Sequence, residues 1–158
     1  MHGRRSILAL VAALGLLLTL VTATTSASAT RVYRLTLTGA QEATPTCEPS
    51  PTVVCGDPDA VAAMILIVNP NNDRVCFLTR WTNIDGTVTA AHIHLAPVGD
   101  PGPVVVPLFA GAFAGTDMLR GCVSAAGLAA AINANPAAYY VNIHSTVFPG
   151  GAVRAQLG

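Results

Sequence analysis

The chain has 158 residues, a formal net charge of zero and only 10% charged residues against 52% hydrophobic ones. That balance excludes an intrinsically disordered chain, which needs low hydrophobicity and high net charge. There is no lysine, and eight arginines face eight acidic residues, so a basic patch for nucleic acid or anionic lipid is not expected.

Residues 1–29 read as an export signal. Arg4 and Arg5 give the positive start, Ile7 to Val21 the apolar run, and Ala27-Ser28-Ala29 the small-residue cleavage site. The apolar run is shorter than the ~20 residues of a membrane span. Arg4-Arg5-Ser6-Ile7-Leu8 also faintly resembles a twin-arginine signal, but the ordinary secretory route is the expectation. Residues 30–158 then form one exported domain, large enough to bury a core. It carries six arginines and eight acids.

Arg31 to Thr38 alternates apolar and polar residues and reads as a first strand ending at Gly39. Thr44 to Pro58, rich in Pro, Thr and Cys, reads as a loop. Ala60 to Val68 is a continuous apolar run closed by the turn Asn69-Pro70-Asn71-Asn72-Asp73. Arg74 to Thr82 alternates again, so the two runs predict a hairpin. Thr87 to Leu95 and Val104 to Phe109 are further strands, separated by a Pro/Gly loop. One helix is expected, capped by Ser124, with Leu128 and Ile132 four apart and Asn135-Pro136 as its stop. Ala138 to Thr146 and Ala152 to Leu157 are the last strands. Short strands with Pro/Gly turns and a single helix predict an all-β, antiparallel, Greek-key-like β-sandwich with one short helix.

Four cysteines in an exported domain predict two disulfides. Cys47 and Cys55 flank the Pro-rich loop, leaving Cys76 to bridge to Cys122. The alternative, a cysteine metal site, lacks the usual close ligand spacing.

The three histidines of residues 30–158 are the candidate chemistry. On a strand alternate side chains share a face. His92 and His94 therefore point away from Ala91, Ile93 and Leu95, and His144 points with Asn142 away from Val141 and Ile143. Three imidazoles on the polar faces of two apolar strands can ligate copper or, as second choice, zinc, with one position left open. The competing reading is histidines that hydrogen-bond loops in a polar surface network. A three-residue loop, Phe148 to Gly150, would set His144 opposite Arg154 and Asn142 opposite Gln156. Arg154 could then orient a small anion at the metal, or form a cross-strand ion pair. Asp85 and Asp100 flank the His-x-His as possible carboxylate partners of the imidazoles. Tyr139, Tyr140 and Trp81 are expected to pack in or near the core, and Asn142 to satisfy backbone groups. Ser145 beside His144 is no triad, and phosphate loops and paired-carboxylate motifs are lacking.

Gly39-Ala40-Gln41-Glu42, Thr89 to His94, Gly102-Pro103-Val104-Val105, and Asn135-Pro136 followed by Tyr139 to Ser145, Phe148 to Gly151, Arg154 and Gln156-Leu157 together resemble the CHRD domain. This domain is named for chordin, an extracellular antagonist of bone morphogenetic proteins, and occurs in secreted microbial proteins. The likeness covers essentially all of residues 30–158; the Cys47–Cys55 insert looks peculiar to this chain. A weaker likeness, at the level of the site, is to the copper-containing superoxide dismutases. In them a His-x-His, a later strand histidine and a C-terminal arginine correspond to His92, His94, His144 and Arg154. A bridging histidine and a zinc loop are missing, so the resemblance implies a copper-only site acting on superoxide. The other function class is a non-catalytic extracellular module that binds a protein or cell-wall partner.

Overall fold

The computed structural model describes residues 29–44, 47 and 55–158. The expected signal segment, bar Ala29, and most of the Cys47–Cys55 insert lie outside the described residues. Eight strands follow in chain order: β1 (Arg31–Thr38), β2 (Val61–Asn69), β3 (Arg74–Thr82), β4 (Val88–Leu95), β5 (Val104–Ala110), β6 (Met118–Ser124), β7 (Tyr139–Ser145) and β8 (Val153–Gln156). A short helix, α1 (Ala129–Ala134), precedes β7. All pairings between these strands are antiparallel, so the described residues form an all-β fold with one short α-helix.

The strand order is β5-β4-β7-β8-β1-β2-β3-β6. Two four-stranded halves join through one register pair, Thr38↔Arg154, and β5 and β6 at the two ends approach each other. The sheet is folded on itself as a nearly closed barrel. β3 and β6 are partners in one half, whereas the intervening β4–β5 hairpin belongs to the other. This crossing between halves is the Greek-key-like element of the expected sandwich.

Period-two alternation makes each half two-faced. Leu37, Leu66, Val75, Ile93, Val106 and Val141 are fully buried inside. Truncating one of them, such as Ile93→Ala, would cost about 2–5 kcal/mol in lost transfer energy and cavity formation. The outward residues of β4, β7 and β8 are covered by the described segments 96–103, 39–44, 55–57 and 148–151. Those coverings shape the site described below.

Three expectations need correction. Periodicity assigns no strand to 118–124, yet β6 pairs with β3 along seven positions. Its inward residues are Leu119, Gly121 and Val123, and the glycine interrupts the apolar signal. Ser124 ends this strand instead of capping a helix; its Oγ accepts the Ala126 N–H. The start of α1 is instead served by Asp73 from the β2–β3 turn, whose carboxylate accepts from Gly127 N and Ala129 N. The β7–β8 register is also displaced by two, with Asn142↔Arg154 and Val141↔Ala155. The loop is longer than three residues: the Ala152 N–H bonds Ile143 O and the Gly151 N–H bonds Phe148 O. A two-residue shift keeps every side chain on its expected face but changes which one stands opposite His144.

Candidate metal centre

Alternation on β4 does most of the placing. Ala91 and Ile93 are fully buried in the core, so His92 and His94 project from the other face. β7 sets Asn142 opposite His92 and Tyr140 opposite His94, with His144 opposite Ala90. The β4–β5 register shifts between Ala91 and His92 and again between Ile93 and His94. Such irregularities re-aim side chains beside functional sites.

The three imidazoles converge. Ring centroids lie 4.8 Å apart for His92–His144, 5.6 Å for His92–His94 and 6.0 Å for His94–His144. One nitrogen from each lies within 4.8 Å of the others. His92 Nδ1 and His144 Nε2 are 3.1 Å apart. The two nitrogens are in hydrogen-bond contact, and two nitrogens bound tetrahedrally at ~2.0–2.1 Å to one ion would sit roughly 3.3 Å apart, so the pair need move little to share an ion.

Backbone carbonyls fix the tautomers. Gly102 O accepts from His94 Nδ1 at 2.8 Å, and Pro149 O accepts from His144 Nδ1 at 3.0 Å. A carbonyl has no proton to give, so each Nδ1 carries the hydrogen and each Nε2 keeps its lone pair. His94 Nε2 is buried without a partner. Burial pushes all three imidazoles below the usual histidine range, His92 to about 4, with neighbouring histidines adding to the effect at His92 and His144 and the Arg154 charge adding to it at His94. The neutral form that ligates a metal is therefore present at neutral pH.

Behind the imidazoles lies a stacked column. The Tyr140 ring stacks on His94 at 4.6 Å with an interplanar angle of 8°, and the Arg154 guanidinium carbon lies 3.5 Å from the Tyr140 centroid. Arg154 is 1% exposed. It donates to Asp100 O and Pro97 O, each at 2.8 Å, and to Gln156 Oε1 at 3.0 Å. The expected side-by-side placing of Arg154 and His144 is therefore corrected: Arg154 stands opposite Asn142, its N–H groups turned to the 97–100 loop. The same loop continues to Gly102, whose N–H donates to the Tyr140 hydroxyl. A side chain at Gly102 would collide with Leu95 O.

Asp85 and Asp100 do not orient the imidazoles; both are exposed, and Gly102 and Pro149 take that part. Sequence reasoning also missed the site roles of Tyr140, Asn142 and Glu42. Tyr140 and Asn142 share the face of His144 by simple alternation, which is the signal that was there to use. Glu42 is fully buried, and neither carboxylate oxygen has a hydrogen-bond partner of good geometry, the Ala43 N–H and Asn142 being near but poorly placed. Desolvation raises its pKa to about 8, against the opposing pull of Arg154, Ala43 N–H and Asn142. Gly151, at φ 141°, must lack a side chain because a Cβ there would overlap the Glu42 carboxylate. Trp81 and Tyr139 pack in the core as expected.

The cysteines pair Cys47–Cys55 and Cys76–Cys122, which fits an oxidising, extracytoplasmic setting. No described helix is long and apolar enough to cross a membrane. Neither the curated proteins nor the solved structures contain a match to this chain. A family model described as the CHRD domain matches residues 33–157, nearly the whole of the sheet and the three histidines of the site, and the chain belongs to the CHRD family.

Proposed function

We propose that residues 30–158, exported after cleavage near Ala29, bind one transition-metal ion through His92, His94 and His144, and that the ion is copper. The observation that carries this reading is the convergence of three neutral imidazoles, two of them with the lone pair set on Nε2 by carbonyl bonds at Nδ1. An all-imidazole donor set suits copper and zinc, and copper binds such sites more tightly. Three ligands leave a position for a small molecule. His92 is the most exposed of the three, so that position opens on its side.

Copper held there would supply one-electron chemistry, taking an electron from one superoxide and returning it to a second with two protons. The chain's own residues hold and orient. Gly102 O and Pro149 O fix two rings. His92, whose Nδ1 faces His144 Nε2, must carry its proton on Nε2 when the ion is in place. Arg154 keeps a part in this reading from behind the site: its charge reaches His94 and favours approach of an anion without touching it.

The test is superoxide decay with copper-loaded, dialysed protein, repeated with His144→Ala. Activity above that of free copper and lost in the variant supports the enzyme. Activity no greater than free copper leaves the second reading, a non-catalytic extracellular module with a metal-stabilised or hydrogen-bonded histidine cluster.

A further inference from the structure

Net charge conceals how the arginines are distributed. The outward positions of β1, β2, β3 and β6 align across the half-sheet in rungs: Val32–Ile67–Cys76–Cys122, Arg34–Ile65–Leu78–Arg120 and Thr36–Ala63–Arg80–Met118, with Arg74 beside Asn69 and Ser124. Four of the six arginines of residues 30–158 thus share one face, and no outward position of these strands is acidic. Two acids at the ends of these strands have partners of their own. Asp117 pairs with Arg80 at 3.5 Å, and Asp73 accepts the N–H groups at the start of α1. A balanced overall composition does not show this segregation, which needs the strand register.

The same face is apolar between its charges. Val32 is 53% exposed, Met118 48%, Leu78 41% and Ile67 39%. Ala63 is a short side chain among longer ones, and a groove of about 480 Å³ opens there, lined by Ile65, Leu78 and Met118 with Arg34 and Arg80.

We propose that this face docks on an anionic lipid bilayer, its arginines meeting headgroup phosphates and its apolar side chains entering the boundary with the acyl chains. Charge complementarity selects an anionic partner. The apolar rungs select one that offers hydrocarbon beside the charge, which a soluble polyanion does not. A second copy of the chain is disfavoured, because a two-fold contact would set four arginines against four others. The histidine site lies on the outer face of the other half-sheet and takes no part.

Residues 30–158, which contain every described strand and both disulfides, are mixed with vesicles of phosphatidylcholine, or of phosphatidylcholine with phosphatidylglycerol, and sedimented. Binding is expected on the mixed vesicles only, weakening with salt. Arg34→Ser with Arg120→Ser should weaken it roughly 25-fold, from about fivefold for each basic residue at a lipid surface. Leu78→Ser with Met118→Ser should weaken it as well; these side chains are exposed, so thermal unfolding should show both variants folded. His92→Ala should bind like the parent. No sedimentation, or equal sedimentation with both vesicle types, overturns the proposal. So does equal binding to soluble poly-aspartate that Leu78→Ser with Met118→Ser leaves unchanged, which would assign the face to an acidic polymer or protein.

Discussion

His94 donates from Nδ1 to the carbonyl of Gly102 at 2.8 Å, and that bond ties a candidate metal ligand to the loop that Arg154 holds. Two carbonyls of the loop, Pro97 O and Asp100 O, accept from the guanidinium, and a third segment is fixed by Gln156, whose amide donates to Ala96 O. The arginine orients His94 without contacting it.

Replacing Arg154 should therefore act on stability and on metal affinity together. Arg154→Met keeps much of the volume but leaves Asp100 O and Pro97 O without their donor. The expected loss is about 2–4 kcal/mol, the range for breaking a buried, charge-assisted network. Metal affinity should fall about 10- to 100-fold, as when an outer partner of a ligand is lost. Chemical denaturation and a metal titration check both. Unchanged metal affinity in a folded Arg154→Met variant would show that the loop does not orient His94.

Glu42 predicts a pH dependence with a definite sign. Its folded pKa, about 8, lies above the unfolded value of 4.5, so its contribution to stability is fully present below 4.5 and is lost as pH rises towards 8. The histidines run the other way. Their folded values are lowered from 6.5, so their contribution is present above 6.5 and is lost as pH falls, for His92 through about 4. In the metal-free protein the two slopes oppose each other between 4.5 and 6.5, and only the Glu42 slope acts between 6.5 and 8. Glu42→Gln should abolish the fall in melting temperature over that upper interval and leave the acid limb in place. A parent protein equally stable at pH 6.5 and 8 would refute this.

The same histidine shifts set the acid limit of metal binding. Protons begin to compete for an imidazole as pH falls to its pKa and compete more strongly below it, and here burial holds those values down. Metal should stay bound below pH 6.5, where an unperturbed imidazole site begins to release it, and should leave as pH approaches the value of about 4 for His92. A titration of bound copper against pH reads this directly; release centred at 6.5 would contradict it.

Cys76 and Cys122 occupy the same rung of the β3–β6 pair and close a separation of 46 residues. Cys47 and Cys55 close only eight. Chain entropy assigns ~4 kcal/mol to the longer closure and ~2.5 kcal/mol to the shorter. Cys76→Ser with Cys122→Ser should lower stability more than Cys47→Ser with Cys55→Ser, as read by denaturant midpoints on the two variants. The reverse order would place the main constraint in the insert.

How much of this was legible in the sequence depends on parity. β1 and β3 fall on the predicted residues, and the faces of His92, His94 and His144 follow from alternation alone, which a two-residue register shift leaves intact. The partner of Arg154 did not survive that shift, because the length of the β7–β8 loop depends on Ser145 and Phe148 contacts that periodicity does not encode. β6 was hidden by Gly121 in the middle of its inward face. Glu42 and Gly102 sit on loops whose course over the sheet is set by tertiary contacts, so their roles beside the site had no local signal. The arginine face needed the whole strand order, since Arg34, Arg80 and Arg120 come together only when β1, β2, β3 and β6 are laid side by side.

The central claim is that His92, His94 and His144 hold one ion together, and metal content measures it most directly. Residues 30–158 loaded with Cu²⁺ and dialysed should retain one copper per chain. His92→Ala with His94→Ala, and separately His144→Ala, should each retain far less while keeping the parent fold by circular dichroism. Equal copper in the parent and the folded variants would contradict the site.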